Sequence, residues 1–236
     1  MVQTSPVRRP TGPPVPRVPQ LLMRVWDAPT RLFHWMVVLL IIVSFVTAKM
    51  EWVTAHFISG YTMMTLLIFR IVWGFAGSET SRFRQFLRSP AEAVRHLRSF
   101  GGPRLPDTEI GHNAAGGWMV MVLLAVLVFQ VTTGLFAGDD TGPLGPLGYH
   151  LSRAMGERVA TLHIRSFYVI LGLTVLHILA IIAYAVVKRH DLVRAMITGK
   201  KRLPATVRQP RFVSPVLAVL VLLCAAATVA AVIRFG

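Results

Sequence analysis

Five long apolar runs govern what this chain can fold into. They cover residues 32–48, 56–75, 114–137, 163–187 and 212–233. At about 1.5 Å of rise per residue, each is close to the length that carries a helix through roughly 30 Å of hydrocarbon. Within lipid a helix satisfies every backbone N–H and C=O inside its own segment, so the runs predict an all-α integral membrane protein. The first run lacks a small-residue cleavage site of signal-peptide type and reads as an uncleaved span. Arg70 interrupts the second near its far end. A composition of 54% apolar and 15% charged residues over 236 positions agrees with a chain for which water is not the only solvent. Five crossings put the termini on opposite sides of the membrane.

The cations give the orientation. Five arginines lie in the tail up to Arg31, six in the 77–113 loop, and eight lysines and arginines in the 188–211 loop. Only Lys49, Arg153, Arg158, Arg165 and Arg234 lie on the other side. A bias of this size predicts a cytoplasmic N-terminus, with the C-terminus on the far side of the membrane. The net charge of +15 is thereby a matter of topology. Nucleic acid is not an expected partner, because the cations are split among three membrane-edge loops instead of forming a stripe. Residues 1–20 hold six prolines and three arginines without apolar periodicity, so residues 1–23 are expected to be a disordered tail. The single cysteine, Cys224, excludes an internal disulfide, a Cys-ligated iron–sulfur cluster, a Cys-rich zinc site and a covalently attached haem of the C-x-x-C-H type.

Four of the eight histidines, His34, His56, His163 and His177, fall within or at the edges of the apolar runs. Ionisable side chains at membrane depth are costly and mark functional sites by default. His34 starts the first span on the cytoplasmic side, and His177 lies fourteen residues into a fourth span that descends from outside, so the two share a depth. His56 and His163 both begin their spans from outside and share the other depth. Fourteen residues rise about 21 Å and return to within about 40° of the same helix face. One mononuclear metal cannot bridge that distance, so two sites are required. Two imidazoles approaching from different helices across an apolar slab suit a six-coordinate b-type haem at each level. Two unrelated metal sites and hydrogen-bonded structural histidines are the alternatives.

Other positions carry weaker signals. Arg70 and Arg31, near the inner pair, suit haem propionates, and Arg165 suits the outer haem; snorkelling to lipid headgroups is the alternative. His112, at the mouth of the third span, is a rival ligand to His34, a quinone contact, or a solvated helix-start residue. His96, His150 and His190 read as surface residues. The glycines at 60, 74, 116, 117, 134 and 172 allow close approach of a macrocycle or of a neighbouring helix. Gln130 is expected to hydrogen-bond across helices. Trp26, Trp35, Trp52, Trp73 and Trp118 are expected in an interfacial belt. Asp139 and Asp140 open an outer turn that could dock a basic partner, and residues 152–162 could lie as a helix along the outer face.

Several segments together resemble a known family: Val25-Trp26-Asp27-Ala28-Pro29-Thr30-Arg31-Leu32-Phe33-His34-Trp35, then Phe69-Arg70-Ile71-Val72-Trp73-Gly74-Phe75-Ala76-Gly77-Ser78, then Gly111-His112-Asn113 with Gly116-Gly117-Trp118, and Thr133-Gly134-Leu135-Phe136. They are similar to the bacterial cytochrome b561 family, in the branch that contains the b-type cytochrome subunit of nickel–iron hydrogenases. The similarity covers about residues 24–200. It implies a four-helix haem-binding bundle holding two haems b on His34, His56, His163 and His177. The role implied is a respiratory-chain link between a quinone pool and a periplasmic c-type cytochrome or docked oxidoreductase. Residues 201–236, a linker and a fifth transmembrane helix, lie outside it. No soluble catalytic module, Gly-rich nucleotide loop or nucleophile triad is visible, so an electron-transfer component is expected rather than a stand-alone enzyme. Two other functions stay open: a superoxide:quinone oxidoreductase working at the periplasmic haem, and a reversible carrier of haem or a metal ion.

Overall fold

The computed structural model describes residues 18–103, 107–138 and 142–235. Five helices are long and apolar enough to cross a membrane. α1 (Ala28–Lys49) starts where Asp27 accepts the N–H of Thr30, with Pro29 in the first turn supplying a preset φ. A tight turn leads to α2 (Val53–Ala76), and two short helices follow, α3 (Phe83–Phe86) and α4 (Pro90–Arg98). Asn113 caps α5 (Ala114–Phe136) by accepting the N–H of Gly116 at 2.7 Å. α6 (Arg153–Ala183) runs into a single π turn at Tyr184–Lys188, α7 (Leu192–Thr198) follows, and α8 (Pro215–Phe235) ends the described chain.

α1 packs on α2, α5 on α6, and α2 on both α5 and α8. The shared core is a cluster of Val37, Leu40, Met63, Leu67, Leu124, Leu127 and Ile170 from the first four spans. α8 joins from the side, through Ala218 and Ala225 against Phe69 and Trp73 of α2. Large apolar side chains such as Leu179, Tyr168 and Leu223 point outward, as lipid-facing positions do. The result is the all-α membrane bundle with a fifth helix that the apolar runs predict.

Two findings depart from the expected boundaries. Gln20–Arg24 is a strand, β1, pairing antiparallel with β2 (Lys200–Pro204), so order begins inside the stretch expected to be a disordered tail. The pairing closes a small apolar cluster of Met23, Val25, Trp26, Ala195 and Leu203 at the cation-rich end. Gly199 ends α7 at φ +75°, a conformation that favours glycine, and its carbonyl accepts the N–H groups of Val25 and Trp26. Pairing across 180 residues gave no local periodicity to read. The second departure is α6, in which residues 153–162 continue the fourth span as one helix instead of lying along the outer face. Asp139 and Asp140 lie outside the described residues, as does most of the 1–23 tail.

Candidate functional site

The four span histidines meet in two pairs. The rings of His34 (α1) and His177 (α6) have centroids 6.4 Å apart, and those of His56 (α2) and His163 (α6) 6.3 Å apart. α6 thus contributes to both, fourteen residues apart. Between the two levels Phe45 of α1 stacks on Phe167 of α6, centroids 5.3 Å apart and planes 3° from parallel, closing the gap between these helices. A metal–imidazole bond is about 2.0–2.1 Å and a ring nitrogen lies about 1 Å from the ring centre, so two trans imidazoles on one metal place their centroids roughly 6 Å apart. Both pairs have that spacing. Among the described residues no three His, Cys, Asp or Glu side chains converge, so neither site has the donor set of a protein-only zinc centre.

The outer pair is held by its surroundings. His56 Nδ1–H donates to the Ser44 carbonyl at 3.0 Å, and His163 Nδ1–H donates to the Gln130 carbonyl at 2.9 Å. A carbonyl can only accept, so each ring carries its proton on Nδ1, which leaves Nε2 as the accepting nitrogen. The Gln130 side-chain amide lies 3.2 Å from the His163 ring, and its carbonyl oxygen accepts from Ser166, so this residue ties α5 to α6 beside His163. A Cβ at Gly134 would lie 2.9 Å from His163 Cε1, and bare backbone there lets the ring sit against α5. Gly60, one turn from His56, faces open space where a Cβ would touch nothing, as a flat macrocycle requires. Gly74 and Gly117 instead admit Phe83 and Phe86, which is plain packing.

The inner pair sits among unpaired polar groups. His34 Nδ1 is buried without a partner, and so are Arg70 Nη1, Arg31 Nε and His112 Nδ1. Arg70 is 2% exposed, with its guanidinium 4.9 Å from the centre of the Phe83 ring. Arg31 spends Nη1 on the Ile197 carbonyl at the end of α7. His112 packs between Trp26 and Phe86, at 4.7 and 4.9 Å. Burial, reinforced by the charge of Arg70, pushes its imidazole down to about 3, which keeps it neutral. Arg165 is exposed at the outer end.

The shared opening motif works structurally. Besides capping α1, the Asp27 carboxylate accepts the Trp73 indole N–H at 3.0 Å and the Ser81 hydroxyl at 3.1 Å, and Ser81 also meets Thr30. This corrects the expected interfacial belt: Trp73 is fully buried and Trp26 nearly so, while Trp35 and Trp52 are exposed. His96 and His190, expected at the surface, are half-exposed there and have partners. His96 Nε2 meets the Tyr184 hydroxyl at 2.5 Å, which also accepts from Asn113, and His190 faces Asp107, itself 2.5 Å from Lys201. Tyr184 was missed because it lies in an apolar run; the π turn that re-aims it has no sequence period of its own.

The profile of the prokaryotic cytochrome b561 family matches residues 25–199. The chain belongs to that family. It is a multi-pass membrane electron-transfer cytochrome of b type, and haem b is its prosthetic group. This cytochrome is similar to the "Probable Ni/Fe-hydrogenase B-type cytochrome subunit" of Rhodobacter capsulatus, 25% identical over 75% of this chain and 80% of the relative. The protein of the same name from Cupriavidus necator is also 25% identical, over 74% and 85%. That of Rhizobium leguminosarum bv. viciae is 22% identical, over 75% and 87%. No solved structure matches the cytochrome. Its paired imidazoles, the Nδ1–H bonds that free Nε2, and the open space at Gly60 suit a bis-histidine macrocycle.

Proposed function

We propose that this cytochrome is a transmembrane relay holding two haems b, one on His34 and His177 and one on His56 and His163. It would connect a quinone at the cation-rich, cytoplasmic end with a periplasmic redox partner. The observation that carries the reading is the spacing of the two pairs, 6.4 and 6.3 Å, where α6 faces α1 at one level and α2 at the other, with Phe45 of α1 stacked on Phe167 of α6. When bound, each haem supplies a one-electron iron couple. The chain's own part is to fix the ligands, exclude water between the levels and balance charge. Arg70 and Arg31, with buried donors left over, would neutralise propionates of the inner haem. His112, neutral and wedged between two rings, would face a quinone head group beside it. The cation bias at this end supports placing the N-terminus in the cytoplasm and the C-terminus in the periplasm of the inner membrane. The hydrogenase-subunit names of the relatives favour an oxidoreductase as partner, with a c-type cytochrome as the other possibility.

The test is haem content per chain in purified protein. Wild type should bind two haems, and H163A and H177A one each. The residual spectra should differ, because each variant keeps the other site. Full haem in either variant would contradict the pairing.

A further inference from the structure

At the cation-rich end, away from both histidine pairs, a cavity of about 380 Å³ is lined by Glu79, Arg82, Arg84, Gln85, Arg208 and Arg211. Its walls are the turn that leaves α2, the short helix α3 and the linker that enters α8. The two are stitched together: the Glu79 N–H donates to the Arg211 carbonyl at 3.0 Å, the Arg211 N–H to the Glu79 carboxylate at 2.9 Å, and the Val213 N–H to the Ser78 hydroxyl at 3.2 Å. The single carboxylate is thus already engaged, by the Arg211 backbone and by an ion pair with Arg208. Those contacts, the Arg211 N–H foremost, hold Glu79 below the usual carboxylate range.

The remaining cations are in excess. Arg82 uses Nε on the Gly77 carbonyl, whereas the exposed guanidinium groups of Arg84 and Arg211 make no hydrogen bond among the described residues. The cavity lies at a membrane edge by construction, three residues beyond the end of α2 and four before the start of α8. At the same edge the apolar side chains of Phe75, 72% exposed, and Val216, 64% exposed, are turned outward on these two helices. Forked guanidinium donors beside lipid-facing apolar side chains match a phosphodiester with acyl chains attached.

We propose that this cavity binds the headgroup of an anionic phospholipid, which fastens the fifth helix to the haem-binding bundle. The proposal rests on the membrane edge and the cations and is independent of how the histidines are used.

The test uses the full-length holoprotein released from vesicles of phosphatidylglycerol in phosphatidylcholine, with bound lipid counted by native mass spectrometry. Wild type should retain phosphatidylglycerol in preference to phosphatidylcholine. R84Q/R211Q should bind it roughly 25-fold more weakly, since each basic residue at an anionic surface contributes about fivefold. R95Q/R98Q, which removes the same charge from α4 on the same side, should bind as wild type. Three results would overturn the proposal: no preference in wild type, equal loss in R95Q/R98Q, or displacement of the lipid by millimolar inorganic phosphate, which would identify the cavity as a free-phosphate site. The wild-type and phosphate arms decide the matter even if R84Q/R211Q fails to fold.

Discussion

The two histidine pairs have the same ring spacing and opposite surroundings. Around His56 and His163 the protein supplies backbone carbonyls, Gln130, Thr47, Thr133 and Ser166, so both rings are oriented before anything binds. Among the described residues His34 and His177 receive no hydrogen bond to either ring; Trp35 lies edge-on to His34, and buried Arg70 and half-buried Arg31 each keep a guanidinium nitrogen without a partner. One pair is held by hydrogen bonds to its rings, and beside the other, charge is left to be balanced. Polar hydrogen bonds to a ligating imidazole set its tautomer and basicity, whereas unpaired guanidinium groups await an anion. The comparison teaches that equal ring spacing can be reached by two routes, which should respond differently to mutation.

The strongest way to break the contrast is G134V. The Gly134 Cβ position lies 2.9 Å from His163 Cε1, so branched bulk there should displace the ring and remove the outer haem, leaving inner-haem absorption intact. G172V, where a Cβ meets nothing, should keep both. Haem content per chain reads the result, and a G134V protein with two haems would show that preset orientation does not matter.

Next comes Q130L, which deletes the amide beside His163 and the acceptor of Ser166. Affinity for the outer haem should fall by about 10- to 100-fold, as is usual when a group orienting a metal ligand is lost. A two-component redox titration should show one midpoint moved and the other unchanged. Equal shifts in both would dissolve the distinction between the sites.

The smallest effect concerns the scaffold common to both. Burial of Asp27 opposes its ionisation, but hydrogen bonds from the serines of the 78–81 turn, from Thr30 and from Trp73 outweigh it and lower its pKa. A lowered folded-state value means that the stabilisation is complete above the unfolded value of 3.8 and is lost as pH falls through the folded value. D27N should therefore unfold earlier than wild type at neutral pH, by about 2–3 kcal/mol, with the gap closing in acid. Thermal unfolding of both proteins between pH 3 and 7 checks the sign; a gap that widens in acid would refute it.

Much of this was legible in the sequence because a bilayer imposes strict periods. Apolar length set the spans, and cation counts in loops predicted their orientation. The fourteen-residue step from His163 to His177 fixed one helix face at two levels. What escaped detection lacked a period. The partner of a buried Asp27 is a tryptophan 46 residues away, β1 finds β2 across most of the chain, and Trp26 and Trp73 are indistinguishable in sequence from belt residues such as Trp52. Gln130 could be read as an interhelical polar residue but not as one that grips His163.

The sequence alone thus determined how many helices cross, which end carries the positive charge, and which histidines can share a depth, because all three follow from rise per residue and the cost of charge in lipid. Tertiary structure alone decided which ring nitrogen carries the proton in the outer pair, that among the described residues the inner pair has no such anchor, and that α8 packs on α2 through Ala218 and Ala225. Those outcomes depend on which backbone carbonyls and side chains are brought within about 3 Å of each other, and that proximity is set by helix packing between segments far apart in the chain.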